Sequence, residues 1–189
     1  MSPEALESLI AGARETDSLE FKSAVPWNVN TFVKDILALA NVIDGGVIIV
    51  GVGEEDGNFV RQGLSAEQIA TYNYDIMRDQ IAPYADPRVI FTKDAIQDAG
   101  GLSYVVIEVA PFEELPVLCI QDGPDNLQAG TLYFRSRSRR PQSARVSRAE
   151  DMREIVEAAI SRRWRNMRRL GFAGESEGQH ALDAELGDL

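Results

Sequence analysis

The chain has 189 residues, 44% of them hydrophobic and 26% charged, with a formal net charge of −11; this suits one globular domain, or one domain with a tail. A single cysteine, Cys119, excludes an internal disulfide and a thiolate zinc cage. The single histidine, His180, lies in a polar C-terminal segment, which removes most His-dependent mechanisms (a serine triad, a two-histidine ribonuclease, a multi-histidine metal centre), so catalysis is expected to run on carboxylates, lysine, arginine or hydroxyls.

The opening Met1-Ser2-Pro3-Glu4 lacks the basic region and apolar run of a secretory signal, and no apolar stretch approaches the roughly 18 residues of a membrane span. A cytoplasmic protein without a membrane partner is the expectation. Pro3 to Ala13 reads as a helix with Ser2 as N-cap, and Leu19 to Lys22 as a short strand stopped by Pro26. Phe32, Ile36, Leu39, Ala40 and Ile43 form a helical stripe over Thr31 to Ile43. Gly45-Gly46 ends that helix, and the run Val47 to Val52 predicts a buried strand with Gly51 as a close-packing position. Glu54 to Asn58 is a turn.

Ser65 to Ile81 reads as one helix capped by Ser65. Strands are expected at Arg88 to Lys93, Leu102 to Val109, Pro116 to Ile120 and Thr131 to Arg135, with a hairpin at Gly100-Gly101. Ser147 to Leu170 is a long helix, with Ser147 and Glu150 at capping-box spacing, and Gly171 closes it. The predicted fold class is therefore α/β (α+β): a mixed β-sheet flanked by helices, ending in a long helix. The domain is expected to span 1–171, and the acidic stretch 172–189 to be a disordered tail.

Charge is unevenly distributed. Arg135 to Leu170 holds 12 basic residues, all arginine, against 4 acidic ones, inside an otherwise strongly acidic protein. Such asymmetry points to a face that binds polyanions, with an arginine helix paired to acidic neighbours as the alternative. Its densest part is Arg135-Ser136-Arg137-Ser138-Arg139-Arg140. On extended backbone Arg135, Arg137 and Arg139 share a face, where guanidinium forks suit bidentate phosphate contacts and Ser138 adds a hydroxyl. Arg145 and Arg148 extend the patch.

Three segments carry a family resemblance. Glu15-Thr16-Asp17-Ser18-Leu19-Glu20-Phe21-Lys22 is similar to E-[ST]-x-x-[LV]-E-F-K. Ala38 to Val52 is similar to A-F-A-N-x-x-G-G-x-[IL]-x-[IV]-G-V, with one extra loop residue and Leu39 in place of a frequent phenylalanine. Gly130 to Ser138, with Pro141 and Ala144, is similar to G-x-x-Y-x-R-x-G-S-x-x-x-P-A, with Arg137 where a glycine is common. In this order and spacing they resemble the Schlafen-type AlbA-like domain over about residues 10 to 150. The resemblance implies a DNA- or RNA-binding module. In its RNA-cleaving members a carboxylate triad stands at positions matching Glu15, Glu20 and Glu54. These three would take Mg²⁺ or Mn²⁺, hard cations that prefer oxygen ligands, with Lys22 stabilising charge at a phosphate. The alternatives are that Glu15 sits in a loop, that Glu20 pairs with Lys22 or an arginine, and that Glu54 is a plain turn residue.

The family label sometimes implies ATP binding. The glycines from Gly45 to Gly57 lack a Gly-Lys-[Ser/Thr] ending and run into an acidic turn, so no nucleotide cofactor is expected. Asn41 is expected to order the Gly45-Gly46 loop, Cys119 to fill core space, and Trp27 to line a groove or be buried. Trp164 and Met167 are expected to pack on the core or on a second subunit. The leading expectation is a largely sequence-independent nucleic-acid binder with a regulatory or defence role. The alternatives are a metal-dependent endoribonuclease and a non-catalytic homodimerising domain.

Overall fold

The computed structural model describes residues 1–12, 15–136 and 142–171. In chain order the elements are α1 (Pro3–Ala11), β1 (Leu19–Lys22), α2 (Val29–Ala40), β2 (Gly46–Val50), β3 (Val52–Glu55), β4 (Asn58–Arg61), α3 (Ala66–Thr71), α4 (Tyr74–Ile81), a 3₁₀ turn (Ala82–Tyr84), β5 (Ala85–Asp86), β6 (Phe91–Gln97), β7 (Ser103–Val109), β8 (Leu118–Cys119), β9 (Thr131–Arg135), β10 (Ser143–Arg145) and α5 (Ala149–Arg169).

Two four-stranded sheets, ordered β1-β2-β7-β6 and β10-β9-β8-β5, enclose α2, and β3-β4 forms a separate hairpin. β1 and β2 run parallel, and the remaining pairs are antiparallel. The mixed α/β class expected from sequence is the one observed. Strand alternation divides the apolar residues between two cores. Ile48, Val50, Val105 and Ile107 face α2, while Leu19, Phe21, Ile49, Tyr104 and Val106 pack beneath α1 with Leu6 and Ile10. Helix α2 is apolar almost all round because both sheets bury it.

Several boundaries differ from expectation for local reasons. Helix α2 starts at Val29, since the Asn28 side chain accepts from the Asn30 amide, and ends at Ala40. The strand expected through Val52 breaks at Gly51, where φ is +111° and a Cβ would lie 2.9 Å from the Tyr104 ring. Asp56 and Gly57, with φ of 50° and 79°, make a two-residue hairpin turn that leaves Glu54 inside β3, opposite Phe59. The helix expected from Ser65 to Ile81 is two helices. Tyr72 leaves helical geometry to bury its ring, and Asn73 caps α4 by accepting from the Asp75 and Ile76 amides. The Ser65 capping box forms, with Gln68 as its partner.

At α5 the N-cap is Arg148 with no side-chain cap bond, so Ser147 and Glu150 do not form the expected box. Asn41 is fully buried and serves another purpose than the one expected of it. Its Nδ2 donates to the Val117 and Tyr133 carbonyls at 2.9 Å, and its Oδ1 accepts from the Val117 amide at 2.7 Å, tying α2 to β9. No helix among the described residues is long and apolar enough to cross a membrane.

Candidate nucleic-acid interface

Strand β1 presents Glu20 and Lys22 on the face opposite Leu19 and Phe21, toward α2 and the second sheet. Between the sheets four side chains form a line of alternating charge. Arg135 Nη1 donates to Glu20 Oε2 at 2.6 Å, Lys22 Nζ lies 2.7 Å from Glu20 Oε1, and the same ammonium lies 2.7 Å from Asp35 Oδ2. Two cations thus offset two carboxylates, the arrangement that makes buried charge tolerable. Burial alone would lower the Lys22 pKa, but the charges of Asp35 and Glu20 outweigh it and raise that pKa above its ordinary value.

Arg135 was expected on an exposed phosphate-binding face. The structure places it in the interior, 1% exposed, with Nη2 donating to the Thr16 and Leu19 carbonyls at 3.1 and 3.2 Å. It is the last residue of β9, and its register partner Ser143 opens β10, so the network fixes the base of the β9–β10 connection. Of the expected contacts on that connection, Arg137, Ser138, Arg139 and Arg140 lie outside the described residues, whereas Arg145 is exposed and donates to Gln128 Oε1.

The three carboxylates proposed as metal ligands are not brought together as a ligand set. Both oxygens of Glu20 are occupied by Lys22 and Arg135. Glu15 Oε1 accepts from the Phe21 amide at 3.3 Å, and Glu54 is exposed on the hairpin. Among the described residues no three His, Cys, Asp or Glu side chains stand where they could hold a metal ion. A metal ion at Glu20 would have to displace Lys22 or Arg135 from its carboxylate. Glu15 is half-buried, and that burial, reinforced by the charge of Glu20, raises its pKa against the smaller opposing pull of Arg135 and Lys22. Sequence reasoning missed Asp35. Its signal was a carboxylate placed three residues after Phe32 and four before Leu39, inside the apolar stripe of α2.

The cations divide by place. Lys22, Arg61, Arg78 and Arg135 each pair with carboxylates. None of Arg145, Arg148, Arg153, Arg162, Arg163, Arg165, Arg168 and Arg169 makes an ion pair among the described residues. All but Arg162 are exposed. Within the basic segment Arg135 is thus neutralised by Glu20, while the arginines from 145 to 169 show no such pair among the described residues. Trp164, expected to pack on the core or on a second subunit, does not pack on the core and is 57% exposed in the single chain, whereas Trp27 is half-buried, stacks on Phe32 and donates from its indole to Gln80. Cys119 is buried, as expected.

No curated protein matches the chain in sequence. Among solved structures it is similar to the DIP2311 protein of Corynebacterium diphtheriae, with TM-score 0.49 and 20% identity over 79% of this chain. It spans only 27% of the length of that protein. It is also similar to the N-terminal domain of a putative ATP-dependent DNA helicase RecG-related protein from Nitrosomonas europaea, with TM-score 0.42 and 20% identity, covering 59% of this chain and 74% of that one. The model of the family described as Schlafen, AlbA_2 matches residues 15–142, more than half of the sequence and the region that carries the Glu20–Arg135 network. The chain belongs to the Schlafen AlbA_2 family.

Proposed function

We propose that the chain binds DNA or RNA through the phosphate backbone, with little dependence on base sequence. The observation that carries this reading is the set of arginines in 142–171 that find no carboxylate partner among the described residues, in a protein of net charge −11. An acidic protein has an ample supply of counter-charges, so a run of guanidinium groups without carboxylate partners among the described residues supports an external polyanion. Family membership supports the same reading. The Glu20–Arg135 pair contributes indirectly, by anchoring the strand ends between which Arg137, Arg139 and Arg140 fall in sequence.

The test is a gel-shift and cleavage assay with labelled structured RNA, single-stranded DNA and duplex DNA at low salt, each with chelator and with Mn²⁺. A shift without fragments, weakened by Arg145→Ala with Arg148→Ala, is the expected result. Metal-dependent fragments abolished by Glu15→Gln or Glu54→Gln would instead establish a nuclease. Glu20→Gln is a poor control, because Glu20 pairs with the buried Arg135 and the half-buried Lys22, and its loss perturbs the fold itself. Absence of any shift would refute the binding reading.

A further inference from the structure

At the C-terminal end of α5, Arg162, Arg165 and Arg169 recur at i, i+3 and i+7 and share one helix face. Together with Phe112, Glu113 and Asn166 they line an open cleft of about 380 Å³, within the size range of small-ligand sites. Arg162 is only 9% exposed. Its guanidinium lies 4.0 Å from the centre of the Phe112 ring, and Nη2 donates to the Ile43 carbonyl. Nη1 is buried with no hydrogen-bond partner among the described residues. Arg162 makes no ion pair among the described residues, an arrangement that proteins rarely leave uncompensated.

The neighbouring charges sharpen the point. Burial, and then the like charge of Arg165, lower the Arg162 pKa, while Asp44 opposes them. Arg169 is steadied on the cleft by donating to Asn166 Oδ1 at 2.9 Å, and Asn166 in turn donates to Glu114. Three arginines against Glu113 leave the lining with an excess of two positive charges. That excess matches a phosphate monoester, which carries about −1.5 to −2 near neutral pH. The helix C-terminus opposes an anion with only about half a charge, which the arginines exceed.

We propose that this cleft is a binding site for a phosphate monoester, held from the rim by Arg165 and Arg169 against the fixed guanidinium of Arg162. The group is either a free phosphate ester or the phosphorylated end of a nucleic-acid strand. The site uses Arg162, Arg165 and Arg169, which belong to the arginine set that carries the backbone-binding reading, but neither Arg145 nor Arg148, so separate variants distinguish the failure of one from the failure of the other.

The test measures the thermal midpoint in inorganic phosphate against chloride at matched ionic strength, for the unaltered chain, for Arg165→Ala with Arg169→Ala, and for Arg162→Met. The unaltered chain should show a saturable rise that both variants lose. Arg162→Met should also melt higher than the unaltered chain without phosphate, because an apolar side chain replaces a buried guanidinium that has no ion pair among the described residues. Two further arms compare a short oligonucleotide with and without a 5′-phosphate. A preference of about tenfold for the phosphorylated form, lost in the Arg165/Arg169 variant, identifies a strand end. Equal binding of the two, with the phosphate response intact, identifies a free ester. No midpoint rise beyond chloride, or an equal rise in the Arg165/Arg169 variant, overturns the proposal. Loss of strand binding in an Arg145→Ala, Arg148→Ala variant that keeps the phosphate response would implicate the backbone contacts alone.

Discussion

Arg135 and Glu20, separated by 115 positions in sequence, meet in the interior with 2.6 Å between Nη1 and Oε2, and so join the first strand of one sheet to an inner strand of the other. Removing one partner leaves the other charged and buried. Arg135→Ala is therefore expected to cost about 3–5 kcal/mol, read as a lowered urea midpoint. Replacing both residues with apolar ones should cost less than the sum of the single changes. A double-mutant cycle showing simple additivity would contradict the pairing.

Asn41 makes three buried hydrogen bonds from one side chain. Asn41→Ala strands the Val117 amide and the Val117 and Tyr133 carbonyls, so a loss of about 3 kcal/mol is expected by chemical denaturation. Faster hydrogen exchange at the Val117 amide would localise the damage.

Glu15 has its pKa raised in the fold, so the folded state holds that proton more tightly than the unfolded chain does. Its contribution is thus favourable at low pH and is lost as pH rises from the ordinary carboxylate range through the raised folded value. Glu15→Gln keeps an acceptor for the Phe21 amide and removes the ionisation. The variant should melt higher than the unaltered chain at pH 7, with the gain shrinking toward about pH 4, near the ordinary glutamate pKa. A gain that grows as pH falls would show the opposite shift.

Two serines that look alike in sequence separate in the structure. Ser65→Ala removes a formed capping box and should cost about 1 kcal/mol. Ser147→Ala should be close to neutral, because Arg148 occupies the N-cap of α5 without a side-chain bond. Equal losses in paired thermal melts would contradict this assignment.

These contrasts show what was legible in the sequence. The β-branched runs at Val47 to Val50 and Tyr104 to Val109, and the stripe from Phe32 to Leu39, announce themselves because burial on both sides requires apolar residues throughout. The short strands Ala85–Asp86 and Ser143–Arg145 carry no such pattern, since they pair for only two or three residues. Glu15, Glu20 and Glu54 were legible as an acidic trio, but spacing alone does not show that Lys22 and Arg135 occupy both Glu20 oxygens. Arg135 itself reads as part of a basic run, and only its burial against Glu20 reveals that its side chain turns inward. Long-range pairing of this kind leaves no local trace.

The central claim, phosphate binding by the exposed arginines between residues 142 and 171, is tested most directly by fluorescence anisotropy of a labelled strand across a salt series. Log K should fall linearly with log salt, and Arg145→Ala and Arg148→Ala should each reduce the magnitude of that slope by about 1. An affinity that ignores salt, or a slope unchanged in both variants, would contradict the account.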